Sequence, residues 1–341
     1  MIRDSINDNH GKRFQFIFIE LSELTIHHEK VYASPSISRL KGFKFEIVRN
    51  EKSIEALVRL IEDPDEKVFE HVRDEIINCG SAAIPFLESS WEAEDFGLTF
   101  QARIENLIHE IQYSEIHSDL KNWINSSERD LLNGVLIISR YQYPNMDENW
   151  VAARIQEIRK DIWLELNDNQ TAYEKVGVFN KVFFGKYNFS GNSKDYHSPL
   201  NSCINTVLES KKGNPLSLCV LYSVIAQSLD MPIYGINLPN HFVLTYLDEN
   251  NINAHINPDN KSGTLFYINA FSKGGIFNDQ EIKDFLKGLN KPEDRAYFEP
   301  CSNSAILSRM LTNLINSFQQ VGNLEKVNEL TSLRELFNLN F

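Results

Sequence analysis

Cysteine and histidine are the residues whose chemistry depends most on spacing, and neither forms a metal or redox motif in this chain. Cys79, Cys203, Cys219 and Cys301 are far apart, with no CxxC pair and no histidine at the spacing of a zinc ligand. Such usage argues against a disulfide framework and against a structural zinc site. We therefore expect free thiols in a reducing, cytoplasmic compartment, and neither a metal nor a cofactor.

Three side chains in the second half of the chain have types suited to acyl transfer. Ser217 and Cys219 lie in a strongly apolar segment that starts at Pro215, and His241 follows Pro239 and Asn240. A hydroxyl or thiol becomes a nucleophile when a base lies within hydrogen-bond distance and a third group orients that base. These residues can act together only if a helix and a strand bring them to one place.

The segment around these residues predicts a helix packed on an antiparallel sheet. Apolar periodicity favours helices over 200–209 and 215–229. Runs rich in β-branched and aromatic residues, separated by turn-forming residues, predict strands over 233–238, 241–247 and 265–271. Upstream, the Gly-, Asn- and Ser-rich stretch 184–199 has the turn chemistry of a domain boundary or of an active-site rim.

Helical periodicity dominates the part of the chain that precedes this segment. A first helix starts at Ser53, and Asp63 followed by Pro64 predicts the N-cap and first turn of a second. Gly80 suits the left-handed residue that ends that helix, and Ser81 opens a third. The stretch 53–91 resembles one HEAT-type repeat. Further helices are predicted over 101–123, 128–141 and 148–166.

Two terminal segments complete the predicted organisation. Residues 303–337 predict two amphipathic helices around a turn at 321–323, similar to half of a tetratricopeptide-like array, and residues 1–48 carry two β-leaning runs, 14–19 and 43–48. The run 14–19 is too short for a signal peptide or membrane span, so we expect no export. The predicted fold class is α+β, predominantly α. Its parts are a leader (1–48), a helical domain (49–183), a core with a small antiparallel sheet (184–298) and a helical hairpin (299–341).

Four segments in combination, 205–208, 213–221, 234–243 and 268–276, resemble the SirB-type branch of the transglutaminase-like superfamily. With flanking segments 131–144 and 309–324, the resemblance extends over about 53–336. In this superfamily, which is related to papain-like proteases, a cysteine begins a helix and a histidine begins a following strand. An aspartate or asparagine on the next strand orients the histidine. The resemblance implies that fold here.

Position by position, Pro215 stands where the superfamily has its catalytic cysteine, His241 matches the histidine, and Asn269 occupies the third position. Proline offers no nucleophile, and deleting the nucleophile of a triad costs about a millionfold in turnover. Asparagine at the third position does not by itself exclude catalysis, because papain-type sites use it. The resemblance therefore implies a retained cleft without its thiol. His241, Asn214 and Asn240 are its candidate ligand-binding residues.

Other groups could replace the missing nucleophile, and we weigh each against a structural role. Cys219 lies one helical turn beyond Pro215 among apolar neighbours, so an inert core thiol is the favoured interpretation, as it is for Cys203. Ser217, in the first turn, is interpreted as a capping hydroxyl rather than a nucleophile. His241 is either a ligand-binding group or a histidine held for fold reasons. We expect His197, His255 and Asp259 to be solvated.

The charge balance narrows the class of partner. Lys and Arg number 34 and Asp and Glu 47, so the formal net charge is −13. A strongly acidic chain is a poor ligand for nucleic acid or for an anionic membrane. Our leading hypothesis is therefore a catalytically degenerate module that binds a protein or peptide. The alternative is a hydrolase or acyltransferase that uses Cys219 or Ser217 with His241 and Asn269. A third hypothesis is transcriptional regulation through protein contacts.

Overall fold

Helices account for most of the chain in the computed structural model, which describes residues 51–92, 97–248 and 263–338. A two-stranded parallel pair and a four-stranded antiparallel sheet complete the described part. The predicted class, α+β with a predominance of helix, is confirmed. The leader 1–48 with its two β-leaning runs, and His255 and Asp259, lie outside the described residues.

The elements are numbered in chain order. The helices are α1 (Glu51–Arg59), α2 (Glu66–Ile77), α3 (Ile84–Trp91), α4 (Leu98–Asn125), α5 (Leu131–Arg140), α6 (Glu148–Trp163), α7 (Ala172–Asn180), α8 (Ile204–Ser210), α9 (Pro215–Gln227), α10 (Asp279–Gly288), α11 (Asn303–Gln320) and α12 (Leu324–Glu335). The strands are β1 (Ser190–Gly191), β2 (Lys212–Gly213), β3 (Ile233–Leu238), β4 (His241–Leu247), β5 (Thr264–Asn269) and β6 (Gly275–Phe277).

Helices α1 to α3 pack against the first half of α4 around a hydrophobic cluster of their own. The predicted start of α2 was two residues too early. Asp65 is the N-cap, because its carboxylate accepts a hydrogen bond from the Lys67 amide, whereas Asp63 caps the preceding turn by accepting from the Asp65 amide. Pro64 therefore lies in that turn. Gly80 adopts the predicted left-handed conformation, with φ of +60°.

The antiparallel sheet has the order β3-β4-β5-β6 and carries α9 on one face. Strands β3 and β4 have the predicted bounds. Strand β5 ends at Asn269 rather than at 271, because the Asn269 side chain accepts a hydrogen bond from the Ser272 amide and so caps a short 3₁₀ turn. Strand β6 and helix α10 were not predicted, and they extend the sheet and cover part of it.

The stretch 184–199 is more ordered than its turn-rich composition indicates. It contains β1, which pairs in parallel with β2 through Ser190 with Lys212 and Gly191 with Gly213. This pair ties the stretch to the residues immediately before α9. Its continuation carries Tyr196, whose ring meets Phe271 edge to face at 6.1 Å between centroids.

The C-terminal hairpin forms as predicted, with α11 and α12 packed antiparallel across a turn at 321–323 in which Gly322 has φ of +75°. Leu307 and Leu314 of α11 and Leu330 of α12 are buried in the same hydrophobic cluster as α5 and α9. The hairpin is thus part of the main core. Within the described residues, no helix is long and apolar enough to cross a bilayer.

Gly134 marks the closest approach between α5 and α11. A Cβ atom at this position would overlap the Leu307 side chain and lie 2.9 Å from the Trp123 ring. Because overpacking forces neighbours off their rotamers, we expect Gly134→Ala to lower the free energy of unfolding by about 1–3 kcal/mol in urea denaturation.

The matched control is Gly177→Ala in α7, where the position is exposed and an added Cβ meets nothing within 4 Å. Alanine is favoured over glycine inside a helix, so this variant should gain roughly 0.5–1 kcal/mol. Equal effects at both positions would contradict the tight α5–α11 contact.

Candidate functional site

The first turn of α9 is fixed by a reciprocal cap. The Asn214 side chain accepts a hydrogen bond from the Ser217 amide (2.8 Å), and the Ser217 hydroxyl oxygen accepts one from the Asn214 amide (3.0 Å). Pro215 occupies the first helical position, where its missing N–H removes no hydrogen bond. Asn214 as N-cap and Pro215 as first helical residue are therefore confirmed as a helix start.

The two candidate substitute nucleophiles have other partners. The Ser217 hydroxyl also donates to the Asn214 carbonyl (3.3 Å), and the residue is 7% exposed. Cys219 is fully buried, and its Sγ donates to the Phe242 carbonyl (3.5 Å). Burial raises the pKa of the Cys219 thiol well above its ordinary value. Neither residue is among the described residues that line the cleft beside His241.

His241 owes its place to a two-residue hairpin turn between β3 and β4. Pro239 at the first turn position and a left-handed Asn240 (φ 55°) at the second are features of a type II turn. His241 follows as the first residue of β4. Its Nε2 lies 3.4 Å from the Nδ2 of Asn269, which donates a long hydrogen bond to the unprotonated nitrogen.

These elements surround an open cleft of about 470 Å³. The start of α9 lines one part of the cleft with Asn214, Pro215 and Leu216. The β3–β4 turn and the first residues of β4 line another part with Asn240, His241 and Phe242. The structure thus brings together Pro215, His241 and the predicted ligand-binding residues Asn214 and Asn240. Asn269 contacts the cleft only through His241, and it does not itself line the cavity.

Of the two remaining walls, the one formed by the 184–199 stretch fits the active-site rim that was one of the two roles expected for it, whereas the wall formed by α11 was missed by the sequence analysis. Tyr196 and His197 of the 184–199 stretch form part of the rim, and His197 is exposed there. The long wall is the polar face of α11, made by Arg309, Asn313, Asn316, Ser317, Gln319 and Gln320. The spacing 309, 313, 316, 320 is that of one helix face, so a polar stripe opposite the apolar one was the available signal.

The electrostatics of the cleft depend on two basic groups. Burial lowers the pKa of His241 below its usual 6.5, and the nearby positive charge of Arg309 lowers it further. Burial also lowers the pKa of the Arg309 guanidinium, whose NH1 donates to the Asn237 side chain (3.3 Å). No aspartate or glutamate is among the described residues that line the cleft.

A second cluster of titratable groups lies away from the cleft. His109, Glu325 and Glu329 present ligand atoms within 4.8 Å of one another. The two carboxylate oxygens of Glu329 are already used, since one lies 2.7 Å from His109 Nε2 and the other accepts from the Tyr141 hydroxyl (2.6 Å). Through Glu329, the arrangement joins α4, the end of α5 and α12.

Comparison with known proteins agrees with this geometry. Residues 149–312 match the family model described as the transglutaminase-like superfamily. The match covers slightly less than half of the chain, and these residues are thus similar to a transglutaminase-like domain. The match is narrower than the resemblance over 53–336, yet it extends from α6 into α11 and so includes Arg309 as well as Pro215, His241 and Asn269.

Several curated proteins are similar over about half to two thirds of the chain. A UPF0162 protein of Xylella fastidiosa is 28% identical over 54% of this chain and 63% of its own length, and one of Vibrio cholerae is 26% identical over 54% and 65%. F-box only protein 21 of Mus musculus is 22% identical over 66% of this chain and 38% of its own. The chain thus covers less than two thirds of these relatives. No solved structure matches significantly.

The depressed pKa of His241 can be tested directly by NMR titration of the histidine rings, with its signal assigned by its loss in His241→Gln. We expect a midpoint below 6.5. Removing the positive charge in Arg309→Gln should move the midpoint upward, whereas Arg159→Gln, a half-buried arginine outside the cleft, should leave it in place.

The same shift has a consequence for stability. Because its pKa is lower in the folded state, His241 binds more protons in the unfolded chain. Its contribution to the free energy of unfolding therefore falls as the pH drops below 6.5. The contribution becomes constant once the pH is below the pKa of the folded state. His241→Gln should remove that component of the pH dependence. A His241 midpoint at or above 6.5 would contradict the buried, Arg309-facing placement.

Proposed function

We propose that this chain is a catalytically degenerate, SirB-type member of the transglutaminase-like superfamily. It acts as a cytoplasmic protein-interaction or regulatory module whose cleft around His241 binds a peptide or small ligand. The observation that carries the proposal is the position of Pro215. This residue is the first of α9, and it lines the same cleft as His241. A side chain without a hydroxyl or thiol there leaves the base without a nucleophile.

The hydroxyl groups that do reach the cleft give the alternative little support. Tyr196 and Ser317 line it, but no hydrogen bond joins either of them to His241 in the described part of the chain. Nucleophilic catalysis needs the base within about 3 Å of the proton it removes. A hydrolase that uses Cys219 or Ser217 would in addition have to open a buried helix or break its cap.

The rest of the architecture favours an interaction role. The cleft is shared between the core and α11 of the hairpin, so a bound segment touches elements from both. The hairpin's likeness to half of a tetratricopeptide-like array and the helical domain's likeness to a HEAT-type repeat suit protein contacts. A net charge of −13 favours protein partners over nucleic acid and anionic membranes.

Thiol reactivity separates the proposal from its enzymatic alternative. In the native protein we expect iodoacetamide to label half-buried Cys79 first, and Cys219 only after unfolding, because burial holds the Cys219 thiol protonated. Site-resolved mass spectrometry gives the rates. If Cys219 is labelled faster than free cysteine and His241→Ala removes that reactivity, the enzymatic alternative holds and the proposal fails.

Restoring a thiol at the start of α9 tests the inferred nucleophile position. A cysteine introduced by Pro215→Cys would lie at a helix N-terminus beside an imidazole, a setting that lowers thiol pKa. We expect alkylation at pH 6 at least about tenfold faster than that of free cysteine. Pro215→Cys combined with His241→Ala should lose most of that gain. A thiol with ordinary reactivity in both variants would show that position 215 does not correspond to the family's nucleophile.

A further inference from the structure

Arg309 is a partly buried cation in an acidic protein, and it is not neutralised by the described chain. Its guanidinium lines the cleft and donates one hydrogen bond, to the neutral side chain of Asn237. It forms no ion pair with any described carboxylate. Other described arginines do, including Arg73 with Glu110 and Arg140 with Asp119. The chain has 47 acidic residues, so it is informative that none of them is among the described residues that line this cleft.

The surroundings of Arg309 favour an anion over a cation. His241 and Arg309 line the same cleft, and the Arg309 charge acts on the His241 ring, so this part of the cleft holds a positive charge even while His241 is neutral. Partial burial reduces the screening of that charge by water. A guanidinium pairs with a carboxylate through two parallel hydrogen bonds, and its unused N–H groups remain available for such a pair.

The remaining wall residues suit the backbone of a peptide. Asn313, Asn316 and Gln320 follow one face of α11, and Asn240 lies in the β3–β4 turn at another end of the cleft. Each amide side chain offers both a donor and an acceptor, which is what a peptide group needs when it leaves water. A volume of about 470 Å³ is within the range of sites that hold small ligands or a few residues.

We propose that the cleft binds a peptide segment through a carboxylate, which Arg309 holds while the amide side chains of α11 bond the peptide backbone. The inference rests on the proposed function, because it names the ligand class for the same cleft. The carboxylate can come from an aspartate or glutamate side chain or from a peptide C-terminus. Both present the same planar anion to the guanidinium.

The test uses an immobilised library of random peptides, probed with the full-length chain. Each peptide sequence is made in two versions, one with a central glutamate and one with a central glutamine. Both versions are made with a free C-terminal carboxylate and with a C-terminal amide. We expect peptides with a carboxylate to bind about tenfold or more tightly than their neutral partners, as suits a charge-assisted hydrogen bond. The acid and amide forms show which source of carboxylate the cleft prefers.

Matched variants assign the preference to Arg309. Arg309→Gln should abolish it, Arg309→Lys should retain part of it, and Arg159→Gln outside the cleft should leave it unchanged. Thermal denaturation verifies that each variant is folded. An arm that does not depend on the folding of Arg309→Gln adds free glutarate to the wild-type chain. Glutarate should compete with carboxylate peptides more than with neutral ones.

The outcomes separate this inference from the function on which it rests. Peptide binding that depends on His241 but shows no carboxylate preference overturns the role of Arg309 and leaves the proposed function standing. A carboxylate preference that persists in folded Arg309→Gln, or resists glutarate in the wild type, likewise overturns it. If the wild-type chain binds no peptide of the library, both the inference and the peptide-binding part of the proposed function fail.

Discussion

The burial of helix α9 is the constraint on which the rest of the site depends. Every residue from Leu218 to Leu221 is buried. The helix packs against strands β3 and β4 and against helices α6 and α8. Only its first turn, at Asn214, Pro215 and Leu216, reaches the cleft. A nucleophile on this helix can therefore meet His241 only from that turn, and a thiol one turn further along lies inside the core. The capping pair of Asn214 and Ser217 keeps the turn in place without any catalytic group.

A second constraint is electrostatic. His241 and Arg309 face the same cleft from different elements, and each is disfavoured as a cation by burial. An enzyme with a thiolate at the start of α9 would place a negative charge near both. With Pro215 in that place, the start of α9 offers no negative charge to either group. Under the proposed function, the cleft can therefore take its anion from outside.

Much of the fold was predictable because local signals agree with tertiary packing. Strands β3 and β4 have β-branched and aromatic runs ended by Pro239 and Asn240, and the start of α9 has both a cap and a proline. The parallel pair β1 and β2 was missed because two residues per strand carry no periodicity, and their pairing depends on contacts made elsewhere. Asp63 and Asp65 are equally good caps in sequence, so the choice between them is made by the preceding turn. Arg309 was placed correctly on a helix, but the wall it forms depends on how α11 packs against α5.

Binding and turnover are physically separable in this cleft. Most of the polar residues that line it come from the 184–199 stretch, the β3–β4 turn and α11, and one, Asn214, comes from the start of α9. Replacing a cysteine at position 215 by proline leaves the α9 backbone in the conformation that the first helical turn requires. The conformation of this turn and the charge of Arg309 therefore do not depend on a nucleophile at position 215. Under the proposed function, a bound segment is then released intact, at a rate set by its contacts alone.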